Sequence, residues 1–450
     1  MKRRVNLGLI GLGTVGTGVI ELLQRNSLII KQKVGTEVSI RAICDKDPAR
    51  LRLAQRMKIR NGIITKDFNQ ILNNPEIDII VELIGGYEPA RKILLASIKK
   101  GKHVVTANKA LLARDWAEVF SEARKHKVLV YFEASVGAGI PVIQALNEGL
   151  SANKIKVILG ILNGTTNYIL TKMSKEELDF KSALAQAKRA GFAEADPSID
   201  LEGIDTLHKL AILGSIAFGA QVNLKDVYCE GITQIVQEDI KYGKIEFGYI
   251  LKLLAILKVT NRGIDVRVHP TFIPQEHLLT SVDEEYNAVY ITGDAVGETM
   301  FYGKGAGQMP AASAVVSDII YLSRNVYHNI AGRVPYVLCD PKKKLNLLDI
   351  NKIETKYYIR FTVVDLPGVL SKISGILGKN GVSIASVFQK GSASSREVSI
   401  IMVTHRAREG AIRKALREID GLKVVRKKSR FIRIEEAQAS YLCHTLNGLI

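Results

Sequence analysis

Cysteine is scarce in this sequence of 450 residues, which holds only four. They are Cys44, Cys229, Cys339 and Cys443. These residues lie far apart and form no CxxC pair and no cluster with histidine, which argues against a structural zinc site and a disulfide framework. Isolated cysteines favour a reducing compartment, so we expect a cytoplasmic protein. Long apolar runs are also missing, because no stretch reaches the ~20 residues of a membrane-spanning helix, and we expect no membrane partner.

Acidic residues are outnumbered, with 45 Asp and Glu against 63 Lys and Arg and a formal net charge of +18. Such a balance is compatible with a nucleic-acid binder. The basic residues are scattered, however, and no basic motif interleaved with aromatic residues supports that class. We therefore expect no nucleic-acid partner and interpret the excess as a solvated basic surface that favours small anionic molecules.

An acidic stretch interrupts this background at residues 191–210, GFAEADPSIDLEGIDTLHKL. Its acidic residues are Glu194, Asp196, Asp200, Glu202 and Asp205, and Lys209 follows them. Asp196 as N-cap and Pro197 as first residue predict one helix that continues to residue 219. On that helix Glu202, Asp205 and Lys209 share a face.

Two interpretations of the acidic stretch compete. A salt bridge between Asp205 and Lys209, worth about a few tenths of a kcal/mol, is the usual explanation for one such pair. It explains poorly several carboxylates beside Gly203, since glycine inside a helix costs ~1 kcal/mol relative to alanine. An amino-aldehyde or aminoalcohol substrate explains the group better. Carboxylates bind its ammonium, and the lysine supplies a proton to its carbonyl oxygen.

The first 132 residues alternate apolar strands with helical segments, which predicts a parallel sheet. Gly11, Gly13 and Gly16 lie between a predicted strand and a predicted helix at GxGxxG spacing. In a dinucleotide-binding turn these glycines provide the tight turn, the close approach of the pyrophosphate and the close packing of the helix. A purely structural turn is the weaker alternative, because Asp45 ends the next strand, where a carboxylate binds the ribose of NAD.

Three further motifs are ambiguous on their residues alone. Lys46, Arg50 and Arg52 can hold a 2′-phosphate of NADP or belong to a solvated helix face, so NAD and NADP both stay open. Lys109 follows the carboxyl end of a buried strand, where ligands bind in parallel sheets, or is an exposed loop lysine. Glu133 begins the glycine-rich EASVGAGIP, whose carbonyls suit a small hard cation, although the residues alone favour a loop without an ion.

Two later segments complete the sequence. NGTTN at 163–167 places Asn163, Thr165 and Thr166 at a helix start, which suits a carboxylate and equally a simple N-cap. Near residue 340, CDPKKKLNLLDINKIETK reads as a linker. Beyond it the predicted order is βαββαβ, a ferredoxin-like fold.

Seven stretches, in order between residue 5 and about residue 330, resemble homoserine dehydrogenase. They are GLGTVGTGV, ELIGG, TANKALL, FEASVGAGIPVI, GILNGTTNYIL, GFAEADPSIDLEGIDTLHKLAIL and YGKGAGQMPAASAVVSDI. The long acidic stretch is the most specific of them. The later stretch DLPGVLSKISGILGKNGVSIASV is similar to an ACT domain. Together they resemble the longer, regulated form of the family.

The resemblance implies an α/β protein in three parts. A Rossmann-type parallel sheet occupies residues 1–132 and is completed by 305–335, and an α+β substrate-binding and dimerisation domain occupies 133–304. A linker at 336–354 precedes a ferredoxin-like ACT domain at 355–435 and a tail at 436–450. The implied reaction is the NAD(P)-dependent interconversion of L-aspartate 4-semialdehyde and L-homoserine in a homodimer or homotetramer, with threonine as the expected inhibitor.

The resemblance also implies residue roles. The catalytic residues are Lys209, Lys109 and Asp205. The substrate-binding residues are Glu194, Asp200, Asp205, Gly164 and Thr165. With the glycine motif, the cofactor-binding set is Gly11, Gly13, Thr14, Val15, Gly16, Asp45, Gly85, Lys109, Gly191 and Gly307. A sodium ion is implied at Glu133, Val136, Ala138 and Ile140, which reverses the preference for a loop without an ion. Asp365, Gly368 and Asn380, the last expected nearby, are implied as the amino-acid site of the ACT domain.

One departure and two rival functions bear on this interpretation. Many family members have arginine before the aspartate that ends the second strand, whereas this sequence has Cys44, so a strict NADP preference does not follow. Aspartate-semialdehyde dehydrogenase requires a nucleophilic cysteine, and none of the four is in a suitable motif. A non-catalytic sensor of amino acids and dinucleotides is disfavoured by the presence of both Lys109 and Lys209.

Overall fold

The computed structural model describes residues 4–57, 62–390 and 397–436. Its strands are β1 (Arg4–Ile10), β2 (Glu37–Cys44), β3 (Ile63–Thr65), β4 (Ile79–Glu82), β5 (His103–Thr106), β6 (Val130–Tyr131), β7 (Ile155–Ile161), β8 (Tyr228–Cys229), β9 (Tyr249–Thr260), β10 (Gly263–Pro274), β11 (Tyr286–Gly293), β12 (Gly297–Lys304), β13 (Glu354–Val364), β14 (Ile384–Lys390), β15 (Glu397–Thr404), β16 (Ala407–Arg408) and β17 (Val425–Ile434).

Its helices are α1 (Thr14–Arg25), α2 (Ser27–Val34), α3 (Pro48–Arg56), α4 (Phe68–Leu72), α5 (Ala90–Lys99), α6 (Lys109–Lys125), α7 (Val142–Gln144), α8 (Gly164–Lys175), α9 (Phe180–Arg189), α10 (Ser198–Leu201), α11 (Ile204–Phe218), α12 (Gln237–Phe247), α13 (Gln308–Tyr327), α14 (Val369–Lys379) and α15 (Glu409–Asp420). The described residues divide into two compact units. The first is drawn from Met1–Leu162, Leu207–Lys225 and Tyr286–Leu345, and the second from Asn163–Thr206, Asp226–Glu285 and Asn346–Ile450.

The first unit contains a parallel sheet in the order β3-β2-β1-β4-β5-β6. Because β1 and β4 are neighbours in the sheet but not in the chain, the strand order reverses between them, and ligands bind at the carboxyl edge of such a switch point. The predicted Rossmann-type sheet is confirmed. The sequence did not reveal β3, which has only three residues and therefore no readable periodicity.

Helix α13 packs in the same core as β1 and α1. Val5 and Leu7 of β1 are buried there with Ala312 and Val315 of α13. Gly18 of α1 permits this approach, because a Cβ at that position would lie 3.1 Å from the Cβ of Ala312. The late helix predicted to complete the first sheet therefore contributes to its core.

The second unit contains a hairpin of β9 and β10 that continues into a ferredoxin-like sheet. β10 pairs in parallel with β17 at Thr271 and Arg433. Strands β17, β13, β15 and β14 follow, each antiparallel to its neighbour. Buried residues of α14 and α15, such as Ile373 and Ile412, pack with Phe361 of β13 in one core. The predicted βαββαβ order is confirmed. Residues 437–450 of the predicted tail lie outside the described part of the chain.

The single helix predicted through the acidic stretch is wrong, because α10 ends at Leu201 and α11 begins at Ile204. Gly203 between them has a φ of +80°, in the left-handed region that favours glycine. Glu202 therefore lies outside α11 and does not share a helical face with Asp205. A Cβ at Gly203 would lie 3.2 Å from Sγ of Cys229, so the close approach expected there is present.

None of the helices within residues 4–57, 62–390 and 397–436 has the length and apolar character needed to cross a membrane. Cys44, Cys229 and Cys339 are free thiols. Cys443 lies outside the described residues.

Candidate active site

The turn between β1 and α1 depends on two of its three glycines for its shape. Gly11 has a φ of +100°, and a Cβ there would lie 2.7 Å from the carbonyl oxygen of Leu83. A Cβ on Gly16 would lie 2.2 Å from the carbonyl oxygen of Gly11. Only glycine permits this tight turn and this close packing of helix on strand, as the motif predicts.

The third glycine leaves the turn open on its outer side. The atom nearest to a Cβ on Gly13 would be Nη1 of Arg50, at 3.8 Å. A cavity of about 540 Å³ adjoins the turn. Its lining includes Gly11, Gly13, Thr14, Val15 and Asp45. The start of α1 thus borders a space in which a pyrophosphate can bind the N-terminus of the helix.

Asp45, expected to bind the ribose, already accepts two hydrogen bonds from the main chain. Leu12 N–H donates to its Oδ2 at 2.6 Å and Asp47 N–H donates to its Oδ1 at 2.9 Å. The same cavity is lined by the cations Lys46, Arg50 and Lys66. Several cations around one cavity create a positive potential that attracts phosphate groups.

Glu82, at the carboxyl end of β4, was not identified from the sequence. It is fully buried, and its carboxylate accepts hydrogen bonds from Ile84 N–H at 2.8 Å and from the Thr106 hydroxyl at 2.6 Å. Burial raises the pKa of Glu82 above its usual value. Gly85 follows with a φ of +74° and no atom within 4 Å of its Cβ position. An acid at the end of a central strand, before two glycines, was the available signal.

Lys109 is the first residue of α6 and is half-buried. Asn108 caps this helix by accepting from Leu111 N–H, and its carboxamide donates to the Gly86 carbonyl at 2.7 Å. The start of α6 is thereby tied to the glycine pair after β4. Gly307, expected near the cofactor, is the N-cap of α13 with a φ of +120°.

Two acids of the acidic stretch meet at the start of α8. The Asn163 carboxamide donates to Asp200 at 2.7 Å and to Asp205 at 2.9 Å. The Thr165 hydroxyl donates to Asp200 at 3.0 Å, and a 2.7 Å contact links it to the Phe192 carbonyl. Asp205 is buried. The sequence placed Asn163 at a helix start that suits a carboxylate and equally a simple N-cap. Its link to the acids was not predicted, because it depends on residues about 40 positions away.

The first turn of α8 is also fixed from a second side. Asn163 Oδ1 accepts from Thr166 N–H at 2.9 Å, the predicted N-cap. A Cβ on Gly164 would lie 2.7 Å from the carbonyl oxygen of Glu285. Gly164 is therefore required for the contact between α8 and the segment that ends at Glu285.

Helix α11 has Asp205 in its first turn and Lys209 one turn later, so the two side chains share one face. Lys209 is buried and its Nζ donates to the Leu162 carbonyl at 2.5 Å. Glu194 is exposed and lies outside the hydrogen-bonded group of Asp200 and Asp205. Gly191, expected near the cofactor, is exposed with a φ of +78°.

The loop implied as a sodium site begins with a buried carboxylate. Glu133 accepts from the N–H groups of Ile143 and Gln144 at 2.9 Å each, and its own N–H donates to Asp318 at 2.8 Å. Burial raises the pKa of Glu133 to about 7 and raises that of Asp318. Ala138 has a φ of +37°, unusual for a residue with a side chain.

No group of three or more His, Cys, Asp or Glu within the described residues has a metal-binding arrangement. An ion in this loop would accordingly be held mainly by main-chain carbonyls. Such donors, at Val136, Ala138 and Ile140, suit a hard cation of low charge. The two buried carboxyls, Glu133 and Asp318, also fit a neighbouring cation, which would favour their ionised forms.

The residues implied for amino-acid binding lie at two ends of α14. Asp365 is exposed, and Gly368, the N-cap of α14, has a φ of +83° and no atom within 4 Å of its Cβ position. Asn380 is the C-cap of the same helix and donates to the Ile376 carbonyl at 3.0 Å. Because a helix of 11 residues is ~16 Å long, the expectation that Asn380 lies near Asp365 is wrong within one chain.

Comparison with known proteins follows the same division of the chain. The homoserine dehydrogenase model matches residues 141–320, and the model of the homoserine dehydrogenase NAD binding domain matches residues 11–133. The homoserine dehydrogenase of Neisseria gonorrhoeae is 42% identical over 433 residues, which cover 96% of this chain and 98% of that protein. The chain belongs to the homoserine dehydrogenase family. The ACT domain model matches residues 357–422.

Solved structures of homoserine dehydrogenases have the same fold. The enzyme from Thiobacillus denitrificans superposes with a TM-score of 0.90 at 41% identity, over 96% of this chain and 98% of that one. A mutant of a hyperthermophilic archaeal homoserine dehydrogenase in complex with NADPH superposes with a TM-score of 0.60 at 26% identity, over 71% of this chain and 98% of that one. The resemblance found in the sequence is confirmed, and this homoserine dehydrogenase is an NAD(P)-dependent oxidoreductase with an ACT domain.

Proposed function

We propose that this enzyme interconverts L-aspartate 4-semialdehyde and L-homoserine, with Asp200 and Asp205 binding the substrate's amino group and Lys209 transferring the proton at its oxygen. The observation that carries the proposal is the joining of both acids by Asn163 at the start of α8. Both acids accept hydrogen bonds from the same carboxamide, which holds them together, and charge-assisted hydrogen bonds between carboxylates and an ammonium are strong.

The helix α11 supplies the geometry of the proposed reaction. A substrate whose ammonium is bound at Asp205 brings its carbonyl oxygen one helical turn along, to Lys209. The ammonium of Lys209 donates a proton as negative charge develops on that oxygen, and the neutral amine that this leaves accepts the proton back in the reverse direction. The nicotinamide, when bound, supplies or accepts the hydride. We assign Lys109 a second, orienting role, because the start of α6 is tied to the glycine pair after β4.

The proposal is tested by Lys209→Met, with the exposed Lys181→Met of α9 as the matched control. Homoserine oxidation is followed at the nicotinamide absorbance with NAD and NADP in parallel. We expect kcat to fall roughly 10²- to 10⁴-fold in Lys209→Met, the usual contribution of a general acid or base. An unchanged kcat would reject the role of Lys209. A folded wild-type protein without turnover on either cofactor would reject the reaction itself.

The substrate acids give a second test of the same site. Asp200→Asn and Asp205→Asn should raise the KM for homoserine and leave the KM for the dinucleotide within about twofold. Glu194, Thr165 and Gly164 stay in the proposed substrate site by family resemblance. Since Glu194 is exposed, Glu194→Gln should have the smallest effect of the three acid variants. A larger effect would show that Glu194 contacts the substrate more closely than this geometry supports.

For the cofactor we propose that the open turn with Thr14, Val15 and Gly85 binds the dinucleotide, and that NADP is accepted. Three cations line the cavity while the Asp45 oxygens accept main-chain N–H groups. Gly191 and Gly307 are proposed to contact the cofactor by family resemblance.

We further propose a sodium ion in the loop at Glu133, Val136, Ala138 and Ile140. Its carbonyls would hold the ion, and the buried Glu133 would supply charge. Thermal unfolding in NaCl and in choline chloride tests this without an activity assay. Sodium should raise the midpoint for the wild type, and the increase should shrink in Glu133→Gln. Equal unfolding midpoints of the wild type in NaCl and in choline chloride would reject the proposed sodium site.

For regulation we propose that threonine binds the ACT domain at Asp365 and Gly368. Asp365→Ala should abolish inhibition and spare activity. Asn380→Ala separates two arrangements, because Asn380 lies at the far end of α14. Loss of inhibition in both variants would place the effector between two ACT domains, and loss in Asp365→Ala alone would place it within one chain. Full inhibition of both variants would reject the site.

The assembly and the domain boundaries are also proposed from the family resemblance. We propose a homodimer or homotetramer, which light scattering distinguishes from a monomer. We propose boundaries at 132/133, 304/305, 335/336 and 354/355, supported by the family models at 11–133, 141–320 and 357–422. Limited proteolysis should cut first within 336–354.

A further inference from the structure

A lysine is buried in the second unit at a position that the proposed chemistry does not use. Lys252 lies in the middle of β9, and its side chain is only 2% exposed. Burial of an ammonium is costly unless its hydrogen-bonding needs are met. Lys252 Nζ donates to the Val282 carbonyl at 2.5 Å and to Asn167 Oδ1 at 3.2 Å, and lies 3.4 Å from Oδ1 of Asp283.

These partners belong to one short segment and to the helix beside it. Residues 282–285, here called the strap, follow β10 and precede β11. Asn167 of α8 donates from its carboxamide to the carbonyls of Val282 and Glu284, each at 3.0 Å. Lys252 and Asn167 therefore share the Val282 carbonyl, and Lys252 holds the other end of the same carboxamide. Lys252, Asn167 and the strap are therefore joined in one hydrogen-bonded network.

The strap is in direct contact with the first turn of α8. A Cβ on Gly164 would lie 2.7 Å from the carbonyl oxygen of Glu285, so main chain packs on main chain there. Interiors are close-packed, and a displacement of the strap is transmitted to what rests on it. The first turn of α8 is also where Asn163 joins Asp200 to Asp205 and where Thr165 donates to Asp200.

A role in stability alone is the competing explanation for Lys252. An ion pair with Asp283 does not require a buried lysine, because the exposed Lys175 already pairs with Asp283 at 2.7 Å. Replacing a buried ion pair with apolar side chains of similar volume often leaves the stability of the folded protein unchanged or raises it. An apolar residue in the middle of β9 would fill the space, but it would leave the Asn167 carboxamide and the Val282 carbonyl without this donor.

We propose that Lys252 is a positioning residue for the substrate's amino group: through Asn167 and the strap it fixes the first turn of α8, and with it the separation of Asp200 and Asp205. This inference rests on the proposed function of those two acids. It predicts a selective effect, in which the enzyme's affinity for the amino-acid substrate depends on Lys252 and its affinity for the dinucleotide does not.

The test compares Lys252→Met with Lys175→Met in the full chain, because both remove a lysine from Asp283. For Lys252→Met we expect the KM for homoserine to rise about tenfold, equivalent to ~1.4 kcal/mol, with the KM for the dinucleotide within about twofold. Lys252→Gln, which keeps a donor for Val282, should lie between Lys252→Met and the wild type. Lys175→Met should leave both KM values unchanged.

A second variant keeps the test decisive if Lys252→Met does not fold. Asp283→Asn weakens the pairing of Lys252 with the strap at a less buried site, and it should raise the homoserine KM while Lys175→Met does not. The role of Lys252 would be overturned if the KM for homoserine and the KM for the dinucleotide changed equally in Lys252→Met. It would also be overturned if the homoserine KM were unchanged in folded Lys252→Met or Asp283→Asn. A wild type without homoserine turnover would instead overturn the proposed function, so the two failures are distinguishable.

Discussion

Arg50 is the residue whose position bears most directly on the choice between NAD and NADP. Its Nη1 lies 3.6 Å from Oδ2 of Asp45, and it is the atom nearest to the open side of Gly13. The side chain is half exposed, so it has room to turn toward a ligand in the cavity. A guanidinium binds phosphate through two parallel hydrogen bonds, which makes it the stronger candidate of the three cavity cations for a 2′-phosphate.

We expect Arg50→Ala to raise the KM for NADP about tenfold or more and to change the KM for NAD less than twofold. Arg52→Ala is the matched control, since Arg52 lies on the same helix α3, is exposed, and is not among the residues that line the cavity. Steady-state kinetics with each cofactor measures both values. Equal losses for NAD and NADP would show that Arg50 contacts the pyrophosphate or the adenosine instead.

We also expect Lys252 to give the stability of the protein a specific pH dependence. Burial lowers its pKa to about 8, against ~10.4 for lysine in an unfolded chain. Asp283 and Glu284 on the strap oppose that shift, and Lys175 on α8 adds to it. Between these two pKa values the unfolded chain binds more protons than the folded one, so the contribution of Lys252 to stability rises with pH.

The measurement is the free energy of unfolding by urea, followed by circular dichroism at pH 7.5 and pH 10, for the wild type and Lys252→Met. The wild type should gain up to roughly 3 kcal/mol relative to the variant across this interval. Taking the difference between the two proteins removes the titration of other lysines and tyrosines. A constant difference would mean that Lys252 titrates as it does in water.

The broken helix at α10 and α11 is the element on which the proposed site depends most. Ile232 N–H donates to the Leu201 carbonyl at 2.8 Å, and a Cβ on Gly231 would lie 2.1 Å from that same oxygen. Main chain therefore packs on main chain at the end of α10. The left-handed Gly203 then starts α11 in a new direction, which places Asp205 beside Asn163.

Gly231→Ala should push the end of α10 away and displace the first turn of α11. We expect kcat/KM for homoserine to fall roughly 10- to 100-fold, because small misplacements of binding groups have effects of that size. Dinucleotide binding, measured by nicotinamide fluorescence, should be unchanged. Gly149→Ala is the control, since no atom lies within 4 Å of its Cβ position. Equal effects of the two substitutions would contradict the packing argument.

The sequence predicted the elements whose signals are local. Buried apolar runs predicted β1, β2, β4 and β5, and Asn163 correctly predicted the start of α8. The glycine motif predicted the turn before α1 because Gly11 and Gly16 each meet a local steric requirement there. β3 was missed because it has three residues, and the break at Gly203 was missed because glycine inside a helix and glycine between helices look the same in one sequence.

The residues of the candidate site could be named from the sequence, but the contacts between them could not. Asp200, Asp205 and Lys209 could be identified from the acidic stretch. Their joining by Asn163 could not, since it depends on how α8 meets α11 across about 40 residues of chain. The position of Asn380 was misjudged for the same reason: the helix α14 separates it from Asp365, and the sequence alone does not show that separation.

In the second unit, buried charges connect β10 with the last strand of the ferredoxin-like sheet. Arg433 of β17 forms a two-pronged ion pair with the fully buried Glu409, at 2.6 and 2.7 Å. Its remaining nitrogen donates to Glu230 at 2.9 Å. Glu230 N–H donates to the Val268 carbonyl of β10 at 2.8 Å. Because the next residue is Gly231, this network ends where main chain packs on the end of α10.

This continuity offers a route from the ACT domain to Asp200 and Asp205, the acids proposed to bind the substrate. We expect a change in the position of β17 to act on Arg433, then on Glu230, and then on the turn beside α10 that precedes Asp205. Coupling between sites requires such an element that both can bias, and typical coupling free energies change affinity about 5- to 150-fold. Glu230 is 39% exposed, and the buried Arg433 keeps its ion pair with Glu409 when Glu230 is replaced, so the substitution tests the route without leaving a buried charge unpaired.

If threonine inhibits the enzyme as proposed, Glu230→Gln should raise the threonine concentration for half-inhibition at least about fivefold and leave uninhibited kcat and KM within about twofold. Glu238→Gln is the matched control, because Glu238 pairs with Arg360 of the same sheet at 2.9 Å but lies on α12, away from residues 228–232. The inhibition curves of both variants and the wild type measure the effect. If both variants lose inhibition equally, the ACT domain acts through its general attachment rather than through Arg433. If neither loses it, the route does not carry the coupling.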